Sequence, residues 1–131
     1  MDVTVACPEG FDPDKKVLAF AKENGHFGLY RDPVEACAGA DVIFTDVWAS
    51  MGQEEEAGYR KQVFGGVYQI NSKTLAAANP GCMVQHCLPA HRGEEITEEV
   101  FESHADEIFD EAENRLHAQK AVMVTLMERK A

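Results

Sequence analysis

Short apolar runs alternate along this chain with segments that carry helix-start and helix-stop residues, and this alternation restricts the fold more than any other feature. Strands joined through single helices pair in parallel, because each helix returns the chain to the same end of the sheet. The pattern therefore predicts an α/β fold with three layers, a Rossmann-like parallel sheet flanked by helices. The predicted strands are 3–7, 27–30, 41–47 and 83–87, and the predicted helices are 13–24, 33–39, 53–64, 72–79 and 97–102.

Capping residues mark the predicted helix ends. Asp12 followed by Pro13 predicts the start of the first helix, and Gly25 predicts its end in a left-handed conformation. Asp32, Ser72 and Thr97 are predicted to start three later helices. Residues 108–109 form a candidate last strand. The apolar residues that follow, Leu116, Val122, Val124, Leu126 and Met127, predict a long helix over 111–129.

Two of the predicted strands run directly into polar loops. The apolar run 42–45 is followed by Asp46, and the run 82–84 leads into His86 and Cys87. In parallel α/β sheets, ligands bind where loops leave the carboxyl ends of the strands. These two loops are therefore the candidate site of binding and chemistry.

Three motifs resemble the ornithine carbamoyltransferase family, and they occur in that family's order. They are Asp-Val-Trp-Ala-Ser-Met-Gly at 46–52, His-Cys-Leu-Pro-Ala-His-Arg at 86–92 and Glu-Asn-Arg-Leu-His-Ala-Gln-Lys-Ala at 113–121. The resemblance implies transfer of the carbamoyl group of carbamoyl phosphate to the side-chain amine of L-ornithine, as in arginine biosynthesis or the urea cycle. It implies neither a metal nor an organic cofactor.

The family's motifs for binding carbamoyl phosphate are not in this sequence. It contains no Ser-Thr-Arg-Thr-Arg and no His-Pro-x-Gln, and it lacks the Gly-Asp-Gly-Asn-Asn stretch that closes the first strand of the family's ornithine domain. The resemblance thus implies that residues 1–131 are a partial ornithine-binding domain that lacks its first strand. In the family, the last helix of this domain, here 111–129, packs on the carbamoyl-phosphate domain, which is absent from this sequence. We expect the isolated chain to be inactive and to bury this helix in a homo-oligomer.

The first loop carries three candidate residues for binding the amino acid. Asp46 is the carboxylate that we assign to the substrate's α-amino group, with an ordinary loop or capping aspartate as the structural alternative. The resemblance implies backbone contacts from Ser50 and Met51. Ser50 also opens a capping box with Gln53, so its hydroxyl has a helix-capping role open to it.

The second loop carries the candidate for the chemical step. In the family, Cys87 lies over the side-chain amine, the backbone of Cys87 and Leu88 meets the carbamoyl group, and the peptide bond to Pro89 is cis. An amine with a pKa near ~10.4 must lose a proton before it attacks a carbonyl carbon, and a thiolate is one group that could take that proton. The sequence leaves open whether Cys87 is the base or only positions the amine.

A zinc site is a second interpretation of the second loop. Cys82, His86, Cys87 and His91 are four ligand types within ten residues. Neighbouring side chains on a strand point to opposite faces, so His86 and Cys87 are not expected to converge on one ion. We therefore predict no metal.

Two arginines are candidates for binding anions. Arg115 resembles the family's arginine that reaches carbamoyl phosphate, and its structural alternative is an ion pair with Glu111 one helical turn earlier. Arg92 is either a cation of the substrate loop or a partner for Glu94 and Glu95.

Composition excludes several other classes of protein. The 131 residues include 23 acids and 12 bases, a net charge of -11, which disfavours binding to nucleic acid. The amino terminus does not resemble a signal peptide, and no apolar run approaches the roughly 20 residues that span a bilayer. Cys7, Cys37, Cys82 and Cys87 lack the spacing of a disulfide scaffold, so we expect reduced thiols and a cytoplasmic location.

Two other functions compete with that of an ornithine carbamoyltransferase. One is a non-catalytic fragment that binds an amino acid or has only a structural role. The other is a related carbamoyltransferase with a different amine substrate, which the intact motif at 50–52 disfavours.

Overall fold

The computed structural model describes residues 1–49, 52 and 54–129, and in that part of the chain four strands alternate with six α-helices. The strands are β1 (Asp2–Ala6), β2 (His26–Tyr30), β3 (Val42–Thr45) and β4 (Met83–His86). The helices are α1 (Lys15–Asn24), α2 (Pro33–Cys37), α3 (Ala57–Phe64), α4 (Ser72–Ala77), α5 (Glu98–Ser103) and α6 (Ala105–Glu128). A 3₁₀ turn over Glu54–Glu56 precedes α3, so the predicted helix at 53–64 is divided into two parts.

All four strands pair in parallel, as the alternation of strands and helices predicted. β1 pairs with β2 from Asp2 opposite His26, and β3 pairs with β4 from Val42 opposite Met83 to Thr45 opposite His86. Within the described residues the strands form two separate two-stranded sheets. This division agrees with the expectation that the sheet lacks one strand.

The hydrophobic core lies around β3, β4 and the two last helices. Val84, Ile96 and Ile108 have no exposed surface. The buried residues that contact one another in this core are Cys37, Ile43, Ile70, Cys82, Val84, Ile96, Val100, Phe101 and Ile108. The candidate loop at 86–92 therefore leaves the best-packed part of the molecule.

Helix α2 connects the two strand pairs. It contacts β1, β2 and α4. The hydroxyl of Thr4 donates to the carbonyl oxygen of Ala36 at 2.8 Å, and the N–H of Gly39, just after α2, donates to the carbonyl oxygen of Ala77 at 2.9 Å. These hydrogen bonds link α2 to β1 on one side and to α4 on the other.

Two of the predicted helix caps are confirmed, and one is displaced. Asp32 and Thr97 accept hydrogen bonds from the first turns of α2 and α5. Helix α1 is capped by Asp14, whose carboxylate accepts from two backbone N–H groups, and not by Asp12. Asp12 instead forms an ion pair with Arg31 at 2.7 Å, which places it outside the helix start.

Two other predictions of helix ends were wrong. Gly25 is extended, with φ -175°, and is not left-handed. Helix α4 is capped by Asn71, one residue before the predicted Ser72. Asn71 and Thr74 form a reciprocal capping box that satisfies backbone groups at both positions, which Ser72 alone would not do.

The predicted strand at 108–109 was also wrong, because α6 already begins at Ala105. Asp106 and Glu107 lie in its first turn, where negative charge complements the helix dipole. Ile108 is fully buried in the core, whereas Phe109 is 55% exposed. The two adjacent apolar residues therefore lie on different sides of a helix.

The second half of α6 extends into solvent. All residues from 113 to 129 are exposed. The large apolar side chains among them are Leu116, Val122, Met123, Val124, Leu126 and Met127. The accessible surface of the chain is 9132 Å², whereas a compact monomer of 14.5 kDa would expose about 6,900 Å². No described helix is long and apolar enough to cross a membrane.

Two valines in helices provide a test of where the core lies. Val100 is 2% exposed in α5, and Val17 is 60% exposed in α1. We expect Val100→Ala to lower the free energy of unfolding by about 2 kcal/mol, because it removes two buried methyl groups and leaves a cavity. Val17→Ala should change it by less than about 0.5 kcal/mol. Urea denaturation of both variants measures this, and equal effects would contradict the described core.

Candidate functional site

Asp46 and Cys87 come together at the carboxyl ends of β3 and β4. The register places Thr45 opposite His86, so the next residue of each strand enters a neighbouring loop. The thiol of Cys87 donates a hydrogen bond to Oδ1 of Asp46 at 3.3 Å. Parallel pairing thus brings the two predicted loops to one site.

Asp46 is exposed, but local structure fixes its orientation. The backbone N–H of Val47 donates to Oδ1 of Asp46 at 2.7 Å. The same oxygen accepts from the Cys87 thiol. One carboxylate oxygen is therefore committed to groups of the protein, which leaves Oδ2 as the oxygen to which a ligand could donate.

Burial and nearby charge raise the pKa of the Cys87 thiol above its ordinary value. Desolvation is the largest cause, followed by the hydrogen bond to Asp46 and by the charges of Asp46 and Glu111. The positive charge of Arg115 lowers the pKa but does not offset these effects. Cys87 is therefore a neutral thiol near pH 7, which disfavours its acting as a preformed thiolate base.

A buried histidine and glutamate lie behind the Cys87 loop. His86 and Glu95 have no exposed surface, and Nε2 of His86 lies 3.0 Å from Oε1 of Glu95. The N–H of Leu88 donates to Nδ1 of His86 at 3.0 Å, so the ring proton belongs on Nε2 and is donated to Glu95. The same glutamate oxygen accepts from the N–H of His91 at 2.6 Å.

These hydrogen bonds hold both ends of the turn that presents Cys87. Leu88 has φ 53°, a left-handed conformation that is uncommon for a residue other than glycine. The peptide bond between Leu88 and Pro89 is cis, as the resemblance implied. His86 anchors the turn from one side, and Glu95 anchors it from the other through His91.

The sequence did not predict the position of Glu95. We expected it as a partner for Arg92, but Arg92 pairs with Glu102 at 2.7 Å and stacks on Phe101 at 4.5 Å. The one available signal was that His86 would need a partner if it were buried. Nothing in the spacing distinguished Glu95 from its less buried acidic neighbours.

The hydrogen bonds to Glu95 outweigh the effect of burial on its pKa. Burial raises the pKa of this carboxyl group, whereas hydrogen bonds from His86 and from the backbone of His91 lower it, and the net shift is downward from 4.5. Glu95 is therefore ionised at neutral pH.

Helix α6 contributes Arg115 and Glu111 to the site. Nη1 of Arg115 lies 3.5 Å from the carbonyl oxygen of Cys87, so the guanidinium reaches the turn. Glu111 lies one helical turn earlier, and its Oε2 atom is buried without a hydrogen-bond partner. The sequence presented Glu111 only as a possible partner of Arg115, and its effect on Cys87 was not predicted.

The argument from the sequence against convergence of His86 and Cys87 was wrong. Their ligand atoms and that of Asp46 lie within 4.8 Å of one another, because β4 ends at His86 and strand alternation no longer applies to Cys87. Both ring nitrogens of His86, however, are already hydrogen bonded to Glu95 and Leu88. A metal would have to displace one of these hydrogen bonds, so the group does not fit a ready metal site.

The remaining residues of the first loop are described in part. Ser50 and Met51, which we assigned to the amino acid, lie outside the described residues. Trp48 stacks on Phe64 with 6.2 Å between ring centroids, and its carbonyl oxygen accepts from Arg60 at 3.3 Å. Trp48 therefore packs against α3.

The fold and the site define a class: a parallel α/β domain with a carboxylate, a thiol and a guanidinium at the carboxyl ends of its strands. Residues 1–126 match the family model described as "Aspartate/ornithine carbamoyltransferase, Asp/Orn binding domain". The chain belongs to this family.

The chain is similar to proteins named ornithine carbamoyltransferase. It is 56% identical over 127 residues to the protein of Syntrophotalea carbinolica, and the match covers 96% of this chain and 42% of the relative. It is 53% identical over 131 residues to the protein of Pyrococcus abyssi, and that match covers 96% of this chain and 41% of the relative. The crystal structure of the anabolic enzyme from Campylobacter jejuni superposes with a TM-score of 0.91 at 37% identity, over 98% of this chain and 44% of that one. The chain spans about two fifths of the length of these curated relatives.

The stability that Glu95 provides should depend on pH. Since the pKa of Glu95 is lowered in the folded state, its contribution is complete above about pH 4.5 and is lost as the pH falls through the folded value. At pH 7 we expect Glu95→Gln to cost roughly 1.5–3 kcal/mol of unfolding free energy, the range for hydrogen bonds to a charged group.

Urea denaturation from pH 7 to pH 3 measures this contribution. The difference between wild type and Glu95→Gln should shrink below about pH 4.5. Glu94→Gln is the matched control, because Glu94 forms a surface ion pair with Lys61 and should matter by less than about 1 kcal/mol. A Glu95→Gln difference that stays constant down to pH 3 would contradict the assignment.

Proposed function

We propose that this chain supplies the ornithine-binding part of an ornithine carbamoyltransferase. The observation that carries the proposal is the 3.3 Å contact between Cys87 and Asp46 at the carboxyl ends of two parallel strands. Membership of the family and the similarity to named ornithine carbamoyltransferases support it. In the complete enzyme, carbamoyl phosphate and L-ornithine would give L-citrulline and phosphate.

Ornithine would bind across the two loops. Its α-amino group would donate to Oδ2 of Asp46, with further contacts to the backbone of Ser50 and Met51, and its side-chain amine would lie beside the Cys87 thiol. A carboxylate suits an ammonium group, because the charge-assisted hydrogen bond is about twice as strong as a neutral one. The loops would thus align the amine for attack.

Carbamoyl phosphate would meet this half of the site at the Cys87 turn. Arg115, whose guanidinium already lies 3.5 Å from the carbonyl oxygen of Cys87, would bind oxygens of carbamoyl phosphate. The backbone of Cys87 and Leu88 would contact the carbamoyl group. Most of the phosphate contacts would come from a carbamoyl-phosphate domain that residues 1–131 do not include, so we propose that this chain alone has negligible transferase activity.

The neutral thiol suggests how the amine could lose its proton. In this proposal the amine nitrogen transfers a proton to Sγ of Cys87 while the thiol proton passes to Oδ1 of Asp46, so Cys87 keeps its charge and Asp46 takes the proton. The nitrogen then attacks the carbonyl carbon, phosphate leaves with the electrons of its bond to that carbon, and the second proton of the nitrogen passes to the departing phosphate. Catalysis would come mainly from aligning the two substrates and stabilising the developing oxyanion.

The exposed half of α6 supports a proposal of self-association. The surface in excess of a compact monomer is roughly 2,200 Å², which exceeds the total area of about 1,200–2,000 Å² that a standard interface buries. In the family this helix packs on another domain. In this chain we propose that a second copy covers it.

The location proposed is a reducing compartment such as the cytoplasm. All four cysteines are free thiols in the structure, and three of them are buried. Buried thiols that are not paired are typical of proteins kept under reducing conditions.

Binding of L-ornithine, measured by calorimetry, tests the half-site. We expect a Kd of about 1 mM or tighter, which Asp46→Ala should abolish because it removes the α-amino group's carboxylate. Asp41→Ala is the matched control: Asp41 is exposed immediately before β3 and contacts Asn79 at 2.8 Å, at the other end of the same strand. Absence of binding by wild type would favour the alternative of a structural fragment without a ligand.

Sedimentation velocity over a range of concentrations tests the self-association. We expect a dimer or larger oligomer, and we expect Val122→Glu, Leu126→Glu and Met127→Glu together to shift it toward monomer, because charge at these positions opposes burial. The same three changes should leave the urea midpoint of the monomer nearly unaltered, since these side chains are outside the core. A wild-type chain that stays monomeric at high concentration would contradict the proposal.

A further inference from the structure

Glu111 has a feature that the proposed function does not use. Its Oε2 atom is buried and has no hydrogen-bond partner within the protein, although the residue as a whole is only partly buried. A buried carboxylate oxygen without a donor is costly, so such atoms usually receive a hydrogen bond from the protein, from water or from a ligand. Oε2 of Glu111 is therefore a position at which a ligand could donate a hydrogen bond.

The surroundings of Glu111 place this oxygen beside the turn that carries Cys87. Glu111 lies four residues before Arg115 in α6, so the two side chains share one face of the helix. Arg115 on that face lies 3.5 Å from the carbonyl oxygen of Cys87. The charge of Glu111 also contributes to the raised pKa of the Cys87 thiol.

A neighbouring acid on the same helix shows the contrast. Oε1 of Glu113 lies 3.0 Å from Nε2 of His117, and its side chain is 69% exposed. Glu113 thus has both a protein partner and water. Oε2 of Glu111, by contrast, is buried and has no hydrogen-bond partner within the protein.

Glu111 and Asp46 place two carboxylates around one neutral thiol. Two carboxylates attract a primary ammonium, which has three N–H donors to distribute. Oδ1 of Asp46 is already occupied by the Cys87 thiol and the N–H of Val47. Two buried carboxylate oxygens of the described residues lack a donor within the protein, Oε2 of Glu95 and Oε2 of Glu111. Glu95 has no exposed surface, whereas Glu111 is only partly buried, so Glu111 is the one of the two that a ligand can approach.

We propose that Glu111 binds the side-chain ammonium of the amino-acid substrate, with Oε2 accepting one of its hydrogen bonds. This inference rests on the proposed function and deepens it: Asp46 would hold the α-amino group, and Glu111 would select substrates that carry a second, terminal amine. Glu111 is then a determinant of substrate specificity. The contact would hold the amine next to the thiol before its proton is lost.

L-Norvaline is the probe that isolates this contact, because it has the same carbon chain as L-ornithine with a hydrogen in place of the terminal amine. Calorimetry with both amino acids on wild type, Glu111→Gln and Glu113→Gln gives a ratio of affinities for each protein. Glutamine preserves the shape of the side chain and removes its charge. Circular dichroism and the urea midpoint show whether each variant is folded.

We expect wild type to bind ornithine roughly 10- to 100-fold more tightly than norvaline, the range for a hydrogen bond to a charged group. Glu111→Gln should lose most of this preference while its affinity for norvaline stays unchanged, and Glu113→Gln should keep the preference.

Other outcomes separate the two levels of the proposal. A Glu111→Gln variant that still prefers ornithine as strongly as wild type would overturn the role of Glu111 and leave the proposed function intact. A wild-type chain that binds neither amino acid would overturn the proposed half-site, and the role of Glu111 with it. Equal binding of ornithine and norvaline by wild type would overturn the role of Glu111 alone, because Asp46 would still hold the α-amino group common to both.

Discussion

The parallel pairing of β3 with β4 is the constraint on which the site depends. Thr45 lies opposite His86, so the residues that follow, Asp46 and Cys87, enter the same edge of the sheet and form a hydrogen bond of 3.3 Å. A change of register by one residue would turn each side chain toward the other face and separate them. The strands are held in this register by the buried residues of the core, including Val84, so the packing of the domain and the geometry of the site have the same origin.

The charge and protonation of the groups around the Cys87 turn depend on which side chains are buried there. His86 and Glu95 are fully buried and hydrogen bonded to each other, and they fix the backbone on both sides of the turn. In front of the turn, burial and the carboxylates of Asp46 and Glu111 keep the thiol neutral by raising its pKa. The protein therefore presents a hydrogen-bonding thiol in an acidic setting, which suits a cationic amine better than it suits an anion.

The sequence predicted the parts that depend on local pattern. Periodicity predicted the parallel α/β architecture and the strands that bear the two loops, and capping chemistry predicted the caps at Asp32 and Thr97. It could not predict Glu95 or Glu111, because what distinguishes these acids is burial by distant parts of the chain and not their spacing. The false strand at 108–109 arose because two adjacent apolar residues fit a strand as well as a helix, and only the packing of Ile108 decides between them.

The contact between Asp46 and Cys87 is tested most directly by the pH dependence of alkylation of the thiol. Cys87 is the one cysteine that is not fully buried, so brief treatment with iodoacetamide followed by mass spectrometry reports on it selectively. The midpoint for wild type should lie above the ordinary value of 9.0, because burial and nearby carboxylates raise the pKa of Cys87. In Asp46→Asn the midpoint should move to lower pH, because the thiolate no longer faces a negative charge. An unchanged midpoint in that variant would show that the two side chains are not in contact, and the account of the site would be wrong.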